Sequence, residues 1–122
     1  MVEAYFDGSA TPNPGTVKIG GYFKDNNETV SYSLKLGYGT NNEAEYRSLL
    51  FLVRLMVNHK VSEVEIKGDS LLVVNQVNGT WKSKNKKLRD LKEEILSELK
   101  HIPKWTLKQI PREENKKADA LT

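Results

Sequence analysis

Apolar residues recur at every second position in the short runs of this chain and at every third or fourth position in two longer ones. Val2 to Phe6 is apolar on both sides, with Val2, Ala4 and Phe6 against Tyr5, and this predicts a central strand. The stretch Ser9 to Gly15, SATPNPG, holds two prolines and a glycine and predicts a tight loop. Val17 to Phe23 predicts a second strand, in which Gly20 and Gly21 mark a bulge or a close backbone approach. Asp25, Asn26 and Asn27 supply a turn. In the next run Val30, Tyr32, Leu34 and Leu36 alternate with Thr29, Ser31, Ser33 and Lys35, a strand with one buried face. Three strands in this succession form an antiparallel meander.

Gly37 and Gly39 end the third strand, and Thr40 or Asn41 caps a helix running to about Asn58. Two glutamates occupy its first turns. At a period of 3.6 residues, Glu45 shares a stripe with Leu49, Leu52 and Met56, whereas Glu43 lines up with Arg47, Leu50 and Arg54. Glu43 is thus expected to pair with Arg47 on the solvent side, and Glu45 to end an apolar stripe, where a carboxylate is costly without compensation. A contact with the helix dipole is the simpler reading of an acid in a first turn. Val61 to Lys67 predicts a fourth strand, reached through a helix and so parallel to a neighbour, most simply the first. A short helix follows from Ser70 to Gln76. From about Asn85 to His101, Leu88, Leu91, Ile95, Leu99 and Ile102 form the stripe of a helix packed on one side of the sheet. Trp105 to Ile110 predicts an edge strand between two prolines, and Asn115 caps a last helix with Asp119 inside it.

Composition narrows the chemistry. With 122 residues, 38% of them hydrophobic, one domain spanning residues 1–122 is expected. The absence of cysteine excludes disulfides, thiolate metal sites and a cysteine nucleophile. Leu49 to Val57, the longest strongly apolar stretch, is interrupted by Arg54 and too short to span a bilayer, so a soluble, cytoplasmic protein with no membrane partner is expected. A net charge of +3 permits a polyanionic partner without requiring one.

The first and fourth strands both run into an aspartate, in DGS at Asp7 and GDS at Asp69. Asp-Gly alone is a common turn pair. If the two strands are parallel neighbours, however, both carboxylates emerge at one sheet edge, where open α/β folds keep their ligand sites. They then repel unless a cation lies between them. Together with Glu45 and Asp119 they form an all-oxygen donor set, suited to Mg²⁺ or Mn²⁺ and not to zinc. Such ions in pairs serve phosphodiester hydrolysis.

DGS at Asp7, TNNEAE at Thr40 to Glu45, GDS at Asp69 and NKKADAL at Asn115 to Leu121 resemble, in order, the signature motifs of type 1 ribonuclease H. The likeness covers essentially the whole chain, including NPG at Asn13 to Gly15. It implies an α/β ribonuclease H-like fold, a mixed five-stranded sheet of order 3-2-1-4-5 flanked by helices. It further implies endonucleolytic cleavage of the RNA strand of RNA/DNA hybrids, leaving 5′-phosphate and 3′-hydroxyl ends. By the same resemblance Asp7, Glu45 and Asp69 hold two metal ions when substrate is bound, with Asp119 as a fourth, more mobile ligand. Asn13, Thr40, Asn41, Asn42 and Asn75 match positions that contact sugar, groove edges or phosphate, and Trp81 matches an aromatic lying against the DNA strand. Caps and turns are the plainer roles for these asparagines, and core filling the plainer role for Trp81.

The chain departs from the family pattern at two places. No histidine occurs between residues 103 and 118, where many bacterial members carry one; Arg112, Glu113 or Glu114 stand in its place, and Arg112 is taken as a substrate contact. His59 and His101 read as helix-end residues. Where larger members have an extra helix and basic loop, only Lys82, Lys84, Lys86, Lys87 and Arg89 are comparable, and a solvated helix start explains them equally. A monomer is expected. Two alternatives stand beside hybrid cleavage: a nuclease that also cuts double-stranded RNA, which shares A-like features with the hybrid, and a binding domain that has lost catalysis.

Overall fold

The computed structural model describes residues 1–122. Its strands are β1 (Val2–Thr11), β2 (Gly15–Lys24), β3 (Thr29–Gly39), β4 (Glu63–Gly68) and β5 (Lys104–Gln109). They form one sheet of order β3-β2-β1-β4-β5. The first three strands are antiparallel neighbours, and β4 runs parallel to both β1 and β5. The helices are α1 (Asn41–Asn58), α2 (Leu71–Val77), α3 (Lys86–Leu99) and α4 (Lys116–Ala120), with a single 3₁₀ turn at Arg112–Glu114. No helix is long and apolar enough to cross a membrane.

The sheet's inner face and α1 make the core. Phe6, Val17, Ile19, Val64 and Ile66 meet Leu49, Leu52, Val53 and Met56, all almost fully buried. The stripe expected to carry Glu45 therefore does face the core. One of the two flanking helices departs from expectation. α3 buries Leu88, Ile95 and Leu99 as its periodicity requires, with Ile102 buried just beyond its end, but packs chiefly on α1 and not on the sheet. α4 lies across β1 and β2 on the opposite face.

Two features of the strands correct the sequence reading. β1 does not stop at Phe6: Ser9, Ala10 and Thr11 stay paired with Lys18, Val17 and Thr16, and the prolines are confined to the turn between the two strands. Gly8 is consequently no turn residue. A Cβ there would overlap the backbone of Ala44 and Glu45 in α1, so glycine is what lets the helix start press against β1. Gly20 and Gly21 are likewise close approaches, to Leu121 and Tyr32, whereas the irregularity in pairing falls elsewhere, opposite Thr16 and Lys18. The third strand buries Tyr32 but leaves Leu34 40% exposed, so its apolar face is only partly covered.

Because the obstacle at Gly8 is backbone, which cannot rotate aside, Gly8→Ala is expected to destabilise the protein by at least about 3 kcal/mol. Urea unfolding checks this. A change below about 1 kcal/mol would show that α1 can lift from β1.

Candidate active site

The last parallel pair between β1 and β4 is Phe6 with Gly68, so the next residue on each strand is an aspartate. Asp7 and Asp69 therefore stand side by side. Asp7 remains inside β1, paired with Gly20 of β2, while Asp69 has already left β4. The edge predicted for both thus exists only relative to β4. Ser70 caps α2 by accepting from the Val73 amide at 3.3 Å, and this turns the chain directly after Asp69.

Glu45 enters from α1. Thr40 caps that helix, its hydroxyl accepting from the Glu43 amide at 3.1 Å. The Thr40 hydroxyl in turn donates to Glu43 Oε1 at 3.4 Å. The expected Glu43–Arg47 pair does not form, because Arg47 donates instead to the Leu36 carbonyl at 2.8 Å. One turn in from the cap, Glu45 brings a carboxylate oxygen to within 4.8 Å of those of Asp7 and Asp69.

These groups open into a cleft of about 320 Å³ lined by Asp7, Gly8, Ser9, Asn41, Glu45, Asp69, Arg112 and Asp119, with no hydrophobic residue among them. Asp7 is only 6% exposed, and Glu45 Oε1 is buried without any hydrogen-bond partner. An orphaned carboxylate oxygen in a crowd of carboxylates is a strained arrangement. Burial, reinforced by Asp119 and Asp69, pushes the Asp7 carboxyl up to about 7. Burial and the charge of Asp7 hold Glu45 well above the usual carboxylate range. Asp69 is raised by burial, against the pull of Arg112.

Asp119 sits against Asp7 and has Arg112 3.9 Å away on the cleft lining. Asn115 was expected to cap α4 with its side chain but does not; it donates instead to the Phe6 carbonyl at 2.9 Å, fastening the start of α4 beside Asp7. Asp119 stands outside the group of three carboxylates.

A family model described as reverse transcriptase-like matches residues 5–122. The chain belongs to that ribonuclease H-like family. It is 31% identical to ribonuclease HI of Halobacterium salinarum, over 98% of this chain and 61% of that protein. Over 98% of this chain it is 36% identical to Bacillus subtilis YpeP, an uncharacterised protein, of which 56% is covered. The chain thus spans about 60% of the length of these curated relatives. Among solved structures, RNase H1 from the same Halobacterium superposes with a TM-score of 0.93 at 32% identity, covering 98% of this chain and 92% of that one. LC11-RNase H1 in complex with an RNA/DNA hybrid gives 0.91 at 33% identity, covering 99% and 93%. The sheet order 3-2-1-4-5 is the ribonuclease H fold expected from the motifs.

In this ribonuclease H-like fold the remaining predicted contacts fall into two groups. Asn13, Thr40, Asn41 and Asn42 gather at the rim beside the start of α1. Asn41 Oδ1 accepts from the Ala10 amide at 2.7 Å, and Asn13 Oδ1 from the Asn41 amide at 3.0 Å. Asn75 and Trp81 form a separate group outside the cleft. The Asn75 carbonyl accepts from the amides of Thr80 and Trp81, and Gln76 donates to the Lys82 carbonyl. That loop holds Trp81 43% exposed, so it does not fill the core. Ser9, which lines the cleft, escaped the sequence reading. Its signal was period two: it lies on the same face of β1 as Asp7, two residues on, once the strand is allowed to continue.

Proposed function

We propose that this chain is an endoribonuclease that hydrolyses the RNA strand of RNA/DNA hybrids with two divalent ions, leaving 5′-phosphate and 3′-hydroxyl ends. The observations that carry this are the meeting of Asp7, Glu45 and Asp69 within 4.8 Å and the unpartnered Glu45 oxygen there. The residues fit a hard cation: every donor is oxygen, and both the crowding and the orphaned oxygen are relieved by positive charge. Asp7, Glu45 and Asp69 would hold Mg²⁺ or Mn²⁺, with Asp119, beside Asp7, as a fourth ligand. Bound there, the ions supply acidity to an attacking water and positive charge at the leaving oxygen.

The chain's own residues do the rest. Asn13 and Asn41 have each spent the carbonyl oxygen on a backbone amide. What they present outward is therefore the NH₂ group, a donor able to meet the acceptors of a minor groove and the 2′-hydroxyl oxygen that marks RNA. Asn42 and Thr40 extend this rim, while Asn75 and the exposed Trp81 offer a surface against which the DNA strand can lie. Arg112 sets a fixed cation beside Asp119, in reach of a phosphate. A relative of the same fold bound to an RNA/DNA hybrid supports the choice of substrate.

The test is incubation with Mg²⁺ or Mn²⁺ on end-labelled RNA/DNA hybrid, double-stranded RNA and double-stranded DNA, with a chelator control. Cutting confined to the RNA of the hybrid, and abolished by chelation, is expected. Cutting of double-stranded RNA at a comparable rate would overturn the specificity. Binding of hybrid without cutting in either metal would overturn the activity.

A further inference from the structure

Strand register places a set of side chains that the cleft leaves unused. Ser9 of β1 pairs with Lys18 of β2, and Lys18 with Lys35 of β3; the next row outward is Thr11, Thr16 and Tyr38. Lys18 lies between Val17 and Ile19, which are fully buried under α1, so it projects from the opposite face, the one that bears Asp7. The Ser9–Lys18–Lys35 row begins two residues beyond Asp7 on β1, about 7 Å away. Since Ser9 also lines the cleft, row and cleft are continuous.

Two lysines directly opposite each other in a sheet repel; both line a shallow pocket with Ser33, Leu34, Leu121 and Thr122, and no acid there comes within ion-pair distance of either. Neither Lys18 nor Lys35 takes part in any of the ion pairs. On the other half of the same face each lysine has its acid: Lys67 lies 3.2 Å from both Glu3 and Glu65, Lys104 3.4 Å from Glu63, and Lys108 3.7 Å from Glu65. The contrast locates unneutralised positive charge on the β2–β3 half alone.

The strand irregularity points the same way. Between the pairs Thr16–Tyr38 and Lys18–Lys35, β3 carries one residue more than β2, and Gly37 there takes a φ of +67°, which glycine tolerates. Simple alternation would put Tyr38 on the inner face with Leu36. The bulge re-aims it into the lysine-bearing face, where it is 72% exposed.

We infer that Lys18 and Lys35, ending at Tyr38, form a track for the sugar-phosphate backbone of the duplex just outside the cleaved step. The occupant follows from charge: a regular polyanion relieves the lysine pair, hydroxyls of Thr11, Thr16 and Tyr38 donate to phosphate oxygens, and the track leads out of a cleft built for a phosphodiester. This inference rests on the proposed function, since it takes the duplex in the cleft to be the occupant.

The experiment measures affinity for a labelled RNA/DNA hybrid against salt concentration, with all variants in an Asp7→Asn background to prevent cutting. Lys18→Gln/Lys35→Gln is expected to lower the slope of log affinity against log salt by about 2, and to weaken binding roughly eightfold per lysine near 0.1 M salt. Lys18→Arg/Lys35→Arg should restore both. Lys104→Gln/Lys108→Gln removes the same charge from glutamate-paired lysines at the other edge and should leave the slope unchanged. Equal slopes for the Lys18/Lys35 variant and its parent, or an equal loss in both glutamine pairs, would overturn the track while leaving the function standing. A parent that does not bind hybrid at all would overturn the function, and the track with it.

Discussion

Asp7→Asn is expected to lower hybrid cleavage by at least about 10³-fold while hybrid affinity stays within a few-fold of the parent. The substitution keeps the shape of the side chain, and Asp7 is held in place by its pairing with Gly20 of β2, directly after the last β1–β4 pair, so the cleft geometry persists. What changes is charge at the centre of the carboxylate group. An amide oxygen is a poor replacement for a carboxylate toward a hard cation, and a factor of 10³ corresponds to only about 4 kcal/mol of lost transition-state stabilisation. Binding is spared because the residues proposed to contact the duplex are held by partners other than the Asp7 carboxylate. Asn13 and Asn41 are fixed by backbone amides, and Trp81 by the loop after α2. Parallel measurement of single-turnover cleavage and equilibrium binding separates the two. Cleavage within tenfold of the parent would remove Asp7 from the catalytic site; affinity lost together with cleavage would make the carboxylates part of substrate recognition.

Much of this arrangement was legible in the sequence because it rests on local periodicity. The stripe through Glu45, Leu49, Leu52 and Met56 chose between two glutamates two residues apart, and burial of the three apolar residues agrees with that choice. The parallel pairing of β1 with β4 followed from an intervening helix, and it alone sets Asp7 beside Asp69. What stayed hidden depended on partners distant in sequence. Gly8 in Asp-Gly reads as a turn unless one knows that Ala44 presses on it. Asn115 reads as a helix cap, whereas the Phe6 carbonyl, 109 positions away, claims its amide. Arg47 abandons Glu43 for the carbonyl of Leu36, on a strand it meets only in the folded state. The bulge at Gly37 could not be told from the strand end that Gly37 and Gly39 suggest, because a bulge is a property of two strands in register.

The carboxylate crowd should also make the metal-free protein less stable as pH rises. Asp7 has its pKa raised by burial and by its acidic neighbours, from an ordinary 3.8 to about 7, and Glu45 and Asp69 move in the same direction. Between about pH 4 and 7 the folded state therefore holds protons that the unfolded chain has released, and stability falls with increasing pH. The contribution is complete below about pH 4 and is lost as pH climbs through about 7. A rise of this size corresponds to at most about 4 kcal/mol, shared among carboxyls that titrate as a set. Asp7→Asn isolates the effect. In chelator near pH 4 the variant and the parent should be about equally stable, since a protonated Asp7 and an asparagine are both neutral. Near pH 8 the variant should be more stable by roughly 2–4 kcal/mol, or about 10 °C in Tm. Adding Mg²⁺ should shrink that advantage, because an ion that binds only the folded parent stabilises it. Equal stability of the two proteins near pH 8 in chelator would mean that Asp7 carries no unfavourable charge. The same crowding that costs the empty site stability is what a divalent cation relieves, so the strain and the proposed chemistry share one cause.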